Sequence, residues 1–129
     1  IEKNGLKETA NRLGKGIIAF SPLAQGLLTD RYLHGIPEDS RIRTDGRFLK
    51  ESTLTEEKLE QIRALNAIAA ARGQTLAEMA LAWILKDGQV TSVLIGASRP
   101  EQILDDLKAL DNTAFTPDEL RAIDAASGF

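Results

Sequence analysis

Two short runs constrain this chain more than any other feature. Gly16-Ile17-Ile18-Ala19-Phe20 is wholly apolar, and residues 91–95, centred on Val93-Leu94-Ile95, form a second strand-like run. Patterns of helical period lie before, between and after them. Strands alternating with helices predict a parallel pair within an α/β sheet. A run without polar alternation suits a strand covered on both faces. Two strands alone make a poor sheet of that kind, because each leaves an unpaired edge. The runs therefore allow two readings, a small complete α+β domain or the tail of a larger α/β protein. The chain opens at Ile1 in a helix-like stretch, so the expectation is a piece of something longer.

The helices are marked by their ends. Residues 6–14 carry apolar positions at helical spacing and stop at Gly14, which suits the left-handed residue after a helix. Thr55 precedes Glu56 and Glu57, acids that favour a helix N-terminus, and Leu59, Ile62, Leu65 and Ala69 form one stripe ending at Gly73. Thr75-Leu76-Ala77-Glu78 is a capping box. It opens a helix apolar nearly all round, with Leu76, Met79, Ala80, Trp83 and Ile84, which predicts burial. Thr116-Pro117-Asp118-Glu119 is another box, with proline at the first helical position. A further helix is predicted over 99–110. Residues 21–53 hold Pro22 and Pro37 and show no such pattern, a length at which loops are usually functional or disordered.

The second strand empties into a helix start, VLIGASRPEQILDD at 93–106. Gly96 lets the backbone turn, Ser98 is the expected N-cap, Pro100 sits in the first turn, and Glu101 could close a capping box. A helix start offers backbone N–H groups and the positive end of its dipole to an anion, and the Arg99 guanidinium suits phosphate. The plainer reading is that Ser98 merely caps its own helix. No G-x-G-x-x-G fingerprint is present.

Composition removes several classes of function. The 129 residues carry a net charge of −3, so no nucleic-acid footprint is expected. With no cysteine there is neither a disulfide nor a thiolate metal site, which fits a reducing compartment, and a cytoplasmic location is expected. No apolar run approaches the length of a membrane span. No His, Asp and Glu cluster has metal-ligand spacing, so no metal is expected. Tyr32 and His34 are each the sole residue of their type, yet no carboxylate is arranged to orient them, and they read as ordinary loop residues. Met79 and Trp83 read as core.

Two stretches taken together resemble a known family. FSPLAQGLLTDRYLHGIPEDSR at 20–41 and TSVLIGASRPEQILDDLKAL at 91–110 resemble the last two strand-loop-helix units of the aldo-keto reductases. The likeness is to the branch holding the potassium-channel β-subunits and the L-glyceraldehyde 3-phosphate reductases, and it runs from about residue 5 to residue 126. It implies an α/β fold, the C-terminal portion of a (β/α)8 TIM barrel. Residues 16–20 would be strand 7 and 91–95 strand 8, each with its helix, followed by a terminal helix, so that 1–129 is one part of a single barrel domain. In such barrels ligands bind at the C-terminal ends of the strands, with phosphate commonly held after strands 7 and 8.

The resemblance also implies roles for residues. Phe20 would stack on a nicotinamide, and Ser21, Pro22, Leu23, Gln25 and Gly26 would line the pyrophosphate. Arg31 and Arg41 would close the long loop over the dinucleotide. Gly96, Ser98 and Gln102 match the adenosine-phosphate segment, and Arg99 is suited to a 2′-phosphate, which favours NADPH over NADH. Asp105 and Asp106 stand where many relatives have Glu-Asn at the adenine. The family's catalytic Asp, Tyr, Lys and His all belong to the first half of the barrel, and Tyr32 and His34 do not match them, so no catalytic residue is assigned here. The implied activity of the whole protein is NADPH-dependent reduction of an aldehyde or ketone, with a small carbonyl substrate. The implied partners are the rest of the barrel or a homo-oligomer, and the segment alone is expected to be inactive. The alternative is a non-catalytic nicotinamide-sensing regulatory subunit of the same fold.

Overall fold

The computed structural model describes residues 1–29, 33–34 and 55–128. Most of the predicted loop at 21–53, with Arg31, Tyr32 and Arg41, lies outside the described residues. The order of elements is α1 (Leu6–Arg12), β1 (Ile18–Phe20), a 3-10 turn at Ala24–Gly26, α2 (Glu56–Ala71), α3 (Leu76–Leu85), β2 (Ser92–Leu94), α4 (Pro100–Leu107) with a 3-10 extension at Lys108–Asp111, and α5 (Pro117–Ser127).

The helix ends follow the polar side chains that mark them. Thr55, Thr75 and Thr116 are N-caps whose hydroxyls accept from the N–H groups of Lys58, Glu78 and Glu119. Glu78 and Glu119 return the bond to the cap N–H, completing both expected boxes. Gly14 and Gly73 take the left-handed conformation just past α1 and α2, at φ 64° and 72°.

The strands are parallel, with Ile18 opposite Ser92, Ala19 opposite Val93 and Phe20 opposite Leu94. Both are shorter than the apolar runs that predict them. Register is fixed at their N-terminal ends. Thr91 Oγ1 accepts from Ile17 N–H at 3.1 Å, and Ile17 O accepts from the N–H groups of Thr91 and Ser92. A Cβ at position 16 would stand 3.1 Å from Thr91 Oγ1, so the approach suits glycine. The expected cover on both faces is not what the described residues show. Ile18 is 71% exposed and Phe20 77%, and Leu94 is exposed as well. An all-apolar strand reports a need for neighbours, and two short strands supply one another with hydrogen bonds rather than cover.

The core lies among the helices. Ile62, Leu65 and Ala69 of α2 pack with Leu76 and Met79 of α3 and Ile123 of α5. Leu59 is only partly buried, at the N-terminal end of the stripe. Trp83 packs half-buried against this cluster, as do Leu27, Leu28 and Leu33 from the chain beyond β1. α3 is buried along much of its surface, as its composition predicts.

Two cations tie the elements together. Arg72, at the end of α2, has a buried side chain that donates to Gln74 Oε1, to Glu119 Oε2 at 2.6 Å and to the carbonyls of Asn112 and Ala114. Its guanidinium also lies 3.7 Å from the centre of the Phe115 ring. Lys7 of α1 is buried and donates to Glu2 Oε1 at 2.8 Å and Asp87 Oδ2 at 2.5 Å. Burial pushes the Asp87 and Glu2 carboxyls up, but the Lys7 ammonium and the Lys86 charge outweigh it and hold both below the ordinary range. Burial likewise pulls Lys7 down, and its two carboxylate partners more than reverse the effect.

Candidate cofactor site

Parallel pairing sends both strands out at the same end. Since Phe20 stands opposite Leu94, residues 21–26 and 95–102 leave side by side from the C-terminal edge of the sheet. The topology thus brings the two stretches singled out in the sequence to one place.

The first stretch is strained. Ser21, Ala24 and Gln25 have φ of 53°, 47° and 60°, and Gly26 has 97°. A left-handed conformation costs a non-glycine residue on the order of 1–2 kcal/mol, and only Gly26 adopts it freely. The turn is held by hydrogen bonds from Ala24 N to Ser21 O, from Gly26 N to Leu23 O and from Leu28 N to Leu23 O. Thr29 Oγ1 donates to Gly26 O at 2.6 Å. Leu27 and Leu28 then anchor it by packing on the helical core. Clustered backbone outliers, over-determined by their surroundings, are characteristic of ligand-binding segments. Pro22, Leu23, Gln25 and Gly26 are half-buried, while Phe20 and Ser21 face outward.

The second stretch corrects the expected cap. The N-cap of α4 is Arg99 rather than Ser98, with φ −142° and ψ 146°, and Pro100 follows as the first helical residue. Gln102, not Glu101, closes the turn. Its Oε1 accepts from Ser98 N–H at 2.8 Å, Arg99 N–H at 3.2 Å and the Ser98 hydroxyl at 3.2 Å. An arginine side chain has no acceptor to offer the helix, so the box is made from one direction only. The signal was in the sequence, because a glutamine three residues after a cap is one form of the box. Gly96 turns the chain without a left-handed φ. Ser98 and Arg99 are exposed, as is Asp105, whereas Asp106 is half-buried.

The electrostatics are mixed. Burial, then the Asp105 and Glu78 charges, push the Asp106 carboxyl up. The Lys108 ammonium, bonded to Asp105 Oδ1 at 2.8 Å, is held above the ordinary lysine range. Arg99 is the cation on the turn itself.

These features fit a phosphorylated dinucleotide. An exposed aromatic face ends β1, a strained turn presents backbone beside it, and a hydroxyl and a guanidinium stand on the neighbouring turn. His34 is exposed. Among the described residues no group of three His, Asp and Glu side chains could hold a metal ion, and no helix is long and apolar enough to cross a membrane. The left-handed angles at Ser21, Ala24 and Gln25 had no counterpart in sequence reasoning, since none of those residue types announces them.

The chain is 53% identical over 127 residues to an L-glyceraldehyde 3-phosphate reductase of Escherichia coli, a match covering 96% of this chain and 37% of that protein. It is 40% identical over 120 residues to a putative voltage-gated potassium channel subunit beta of Schizosaccharomyces pombe, covering 90% of the chain and 35% of that protein. Among solved structures, a glycerol dehydrogenase from Gluconobacter oxydans superposes with a TM-score of 0.73 at 26% identity, over 98% of this chain and 38% of that one. The chain thus spans between a third and two fifths of these relatives. The sequence profile of the Aldo/keto reductase family matches residues 1–127, and the chain belongs to that family.

Proposed function

We propose that this chain supplies the NADPH-holding part of an oxidoreductase that reduces a small aldehyde or ketone. The observation that carries the reading is the exit of the strained 21–26 turn and the Ser98–Gln102 turn from one end of the parallel pair. Phe20 offers its exposed face to the nicotinamide ring. The turn from Ser21 to Gly26 holds the pyrophosphate, and Ser98 with Arg99 meets the 2′-phosphate. Arg31 and Arg41, outside the described residues, add positive charge, and Asp105 and Asp106 flank the adenine. NADPH supplies the hydride when bound, and the proton donor comes from other parts of the barrel. A phosphorylated aldehyde is the first substrate to try, given the name of the Escherichia coli relatives. The protein acts in the cytoplasm. A second reading, a nicotinamide-sensing regulatory subunit, is favoured by the 40% identity to the channel subunit. Turnover of carbonyl substrates by the full-length protein separates the two.

Arg99→Ala in the full-length protein tests the cofactor assignment. A charge-assisted hydrogen bond contributes roughly 1.5–3 kcal/mol, so NADPH affinity should fall by about one to two orders of magnitude. NADH lacks the 2′-phosphate and should bind almost unchanged. Fluorescence titration with both cofactors reads the result, and equal losses would reassign Arg99 to the fold or to the shared pyrophosphate.

A further inference from the structure

We propose that Asn4 is a site of spontaneous covalent modification, losing its side-chain amide by cyclisation onto the Gly5 nitrogen. The structure contains two turns of nearly the same shape. In one, Asn4 Oδ1 accepts from Leu6 N–H at 3.1 Å, and the intervening Gly5 has φ 73°. In the other, Asp87 Oδ1 accepts from Gln89 N–H at 3.0 Å across Gly88, at φ 68°. In both, the side chain curls back over the peptide that joins it to glycine. In both, no heavy atom lies within 4 Å of where a glycine Cβ would stand, but the Gly88 N–H is held by Leu85 O at 3.1 Å, a bond that also keeps that nitrogen from attack.

The chemistry of the two side chains separates them further. Asp87 is an ionised carboxylate paired with buried Lys7 at 2.5 Å, and its negative charge repels a nucleophile from Cγ. Asn4 is an exposed neutral amide, and the Leu6 N–H draws charge from its carbonyl oxygen in the way an oxyanion donor does. The Gly5 nitrogen gives its proton to water or hydroxide and bonds to Asn4 Cγ. The Cγ–Nδ2 bond then breaks, and ammonia leaves with a proton from solvent, giving a five-membered imide. Water opens that ring at either carbonyl, yielding aspartate or isoaspartate, with no change of oxidation state. Isoaspartate adds one carbon to the main chain, so the Leu6 bond that begins α1 is lost.

The chain carries its own controls. Asn112 makes the same kind of bond, accepting from Ala114 N–H at 3.2 Å. Thr113 follows it, and a β-branched side chain crowds the attacking nitrogen. Asn11 and Asn66 sit inside α1 and α2, where the helical backbone keeps the next amide from turning onto the side chain. The experiment ages the full-length protein at mildly alkaline pH in heavy-oxygen water and follows each asparagine peptide by mass spectrometry. Conversion at Asn4 is expected at least about tenfold faster than at Asn112, the rate ratio given by about 1.4 kcal/mol of barrier. Both isomeric products should appear, and Asn4→Gln should abolish them. Equal rates at Asn4 and Asn112 would overturn the proposal. So would isoaspartate forming at Asp87 as fast as at Asn4, because turn shape alone would then suffice.

Discussion

The helical layer and the two-stranded sheet are built from equally apolar sequence, yet they end in opposite environments. Ile62, Ala69, Leu76 and Met79 are almost wholly enclosed, while Ile18, Phe20 and Leu94 stand largely exposed. The helices complete their backbone hydrogen bonds internally, and α2, α3 and α5 close a core with one another within this stretch of chain. A strand completes its bonds only against other strands, and among the described residues β1 and β2 have one partner each. The lesson is that apolar content states a demand for burial, and topology decides whether the demand is met within the same stretch of chain. α4 sits between the two cases. Ile103, Leu104, Leu107 and Leu110 line one side of it and of its extension, and all four are exposed.

The largest effect should come from asking the sheet side to stand by itself. The 129 residues alone are expected to self-associate or remain partly unfolded, because the exposed strands and the α4 stripe form apolar surface. Sedimentation giving a compact monomer with cooperative melting would break the contrast drawn here. Next in size is a pair of truncations compared in the full-length protein. Ile62→Ala should cost about 2–5 kcal/mol in chemical denaturation, as buried aliphatic truncations do. Phe20→Ala should stay within about 0.5 kcal/mol of wild type, as exposed positions do, while weakening cofactor binding. Similar losses of stability for both would show that Phe20 is packed.

The smallest effect belongs to the Lys7 cluster. Its carboxylates, Glu2 and Asp87, are held below their ordinary values, so their contribution is present above the ordinary carboxylate range. It is lost as pH falls through the lowered values. Lys7 is held above its ordinary value, so its contribution is present below the ordinary lysine range and lost as pH rises through the raised one. The melting temperatures of wild type and Lys7→Met should therefore differ most in the broad middle of the pH range and converge at both extremes. Asp106 has the opposite sign. Its raised carboxyl costs stability when ionised, and that cost is relieved as pH falls through its folded value. A constant gap between wild type and Lys7→Met at all pH values would remove the ionic account of the cluster.

Legibility followed range. Thr55, Thr75 and Thr116 cap helices through bonds spanning three residues, and each was readable from the sequence. The strands were located correctly because apolar runs between helices leave few alternatives, but their exposure depends on distant chain and could not be read. The proposed site rests largely on resemblance. The described residues of that proposed site lie at the C-terminal ends of the two strands, while the left-handed angles of Ser21, Ala24 and Gln25 were invisible, since none of those residue types favours them. Arg99 displaced Ser98 as the cap because Gln102 reached both backbone N–H groups, a competition that a single motif does not decide. Lys7 and Arg72 lay beyond reach altogether. Their partners stand 80 and 47 residues away, and a lone basic residue in a helix carries no mark of whom it will meet.

Arg72 also bears on the order of events in time. Its local partner, Gln74, is available as soon as α2 ends, but Asn112, Ala114 and Glu119 arrive together on a segment made some forty residues later. Helices α2 and α3 can meet before that segment exists on the ribosome, and the guanidinium waits without its full set of acceptors. A contact that closes only after the folding barrier slows unfolding without speeding folding. Arg72 is expected to act in this way, as a brake on departure from the native state. Weakening it should leave the rate of folding nearly unchanged and shorten the lifetime of the folded protein.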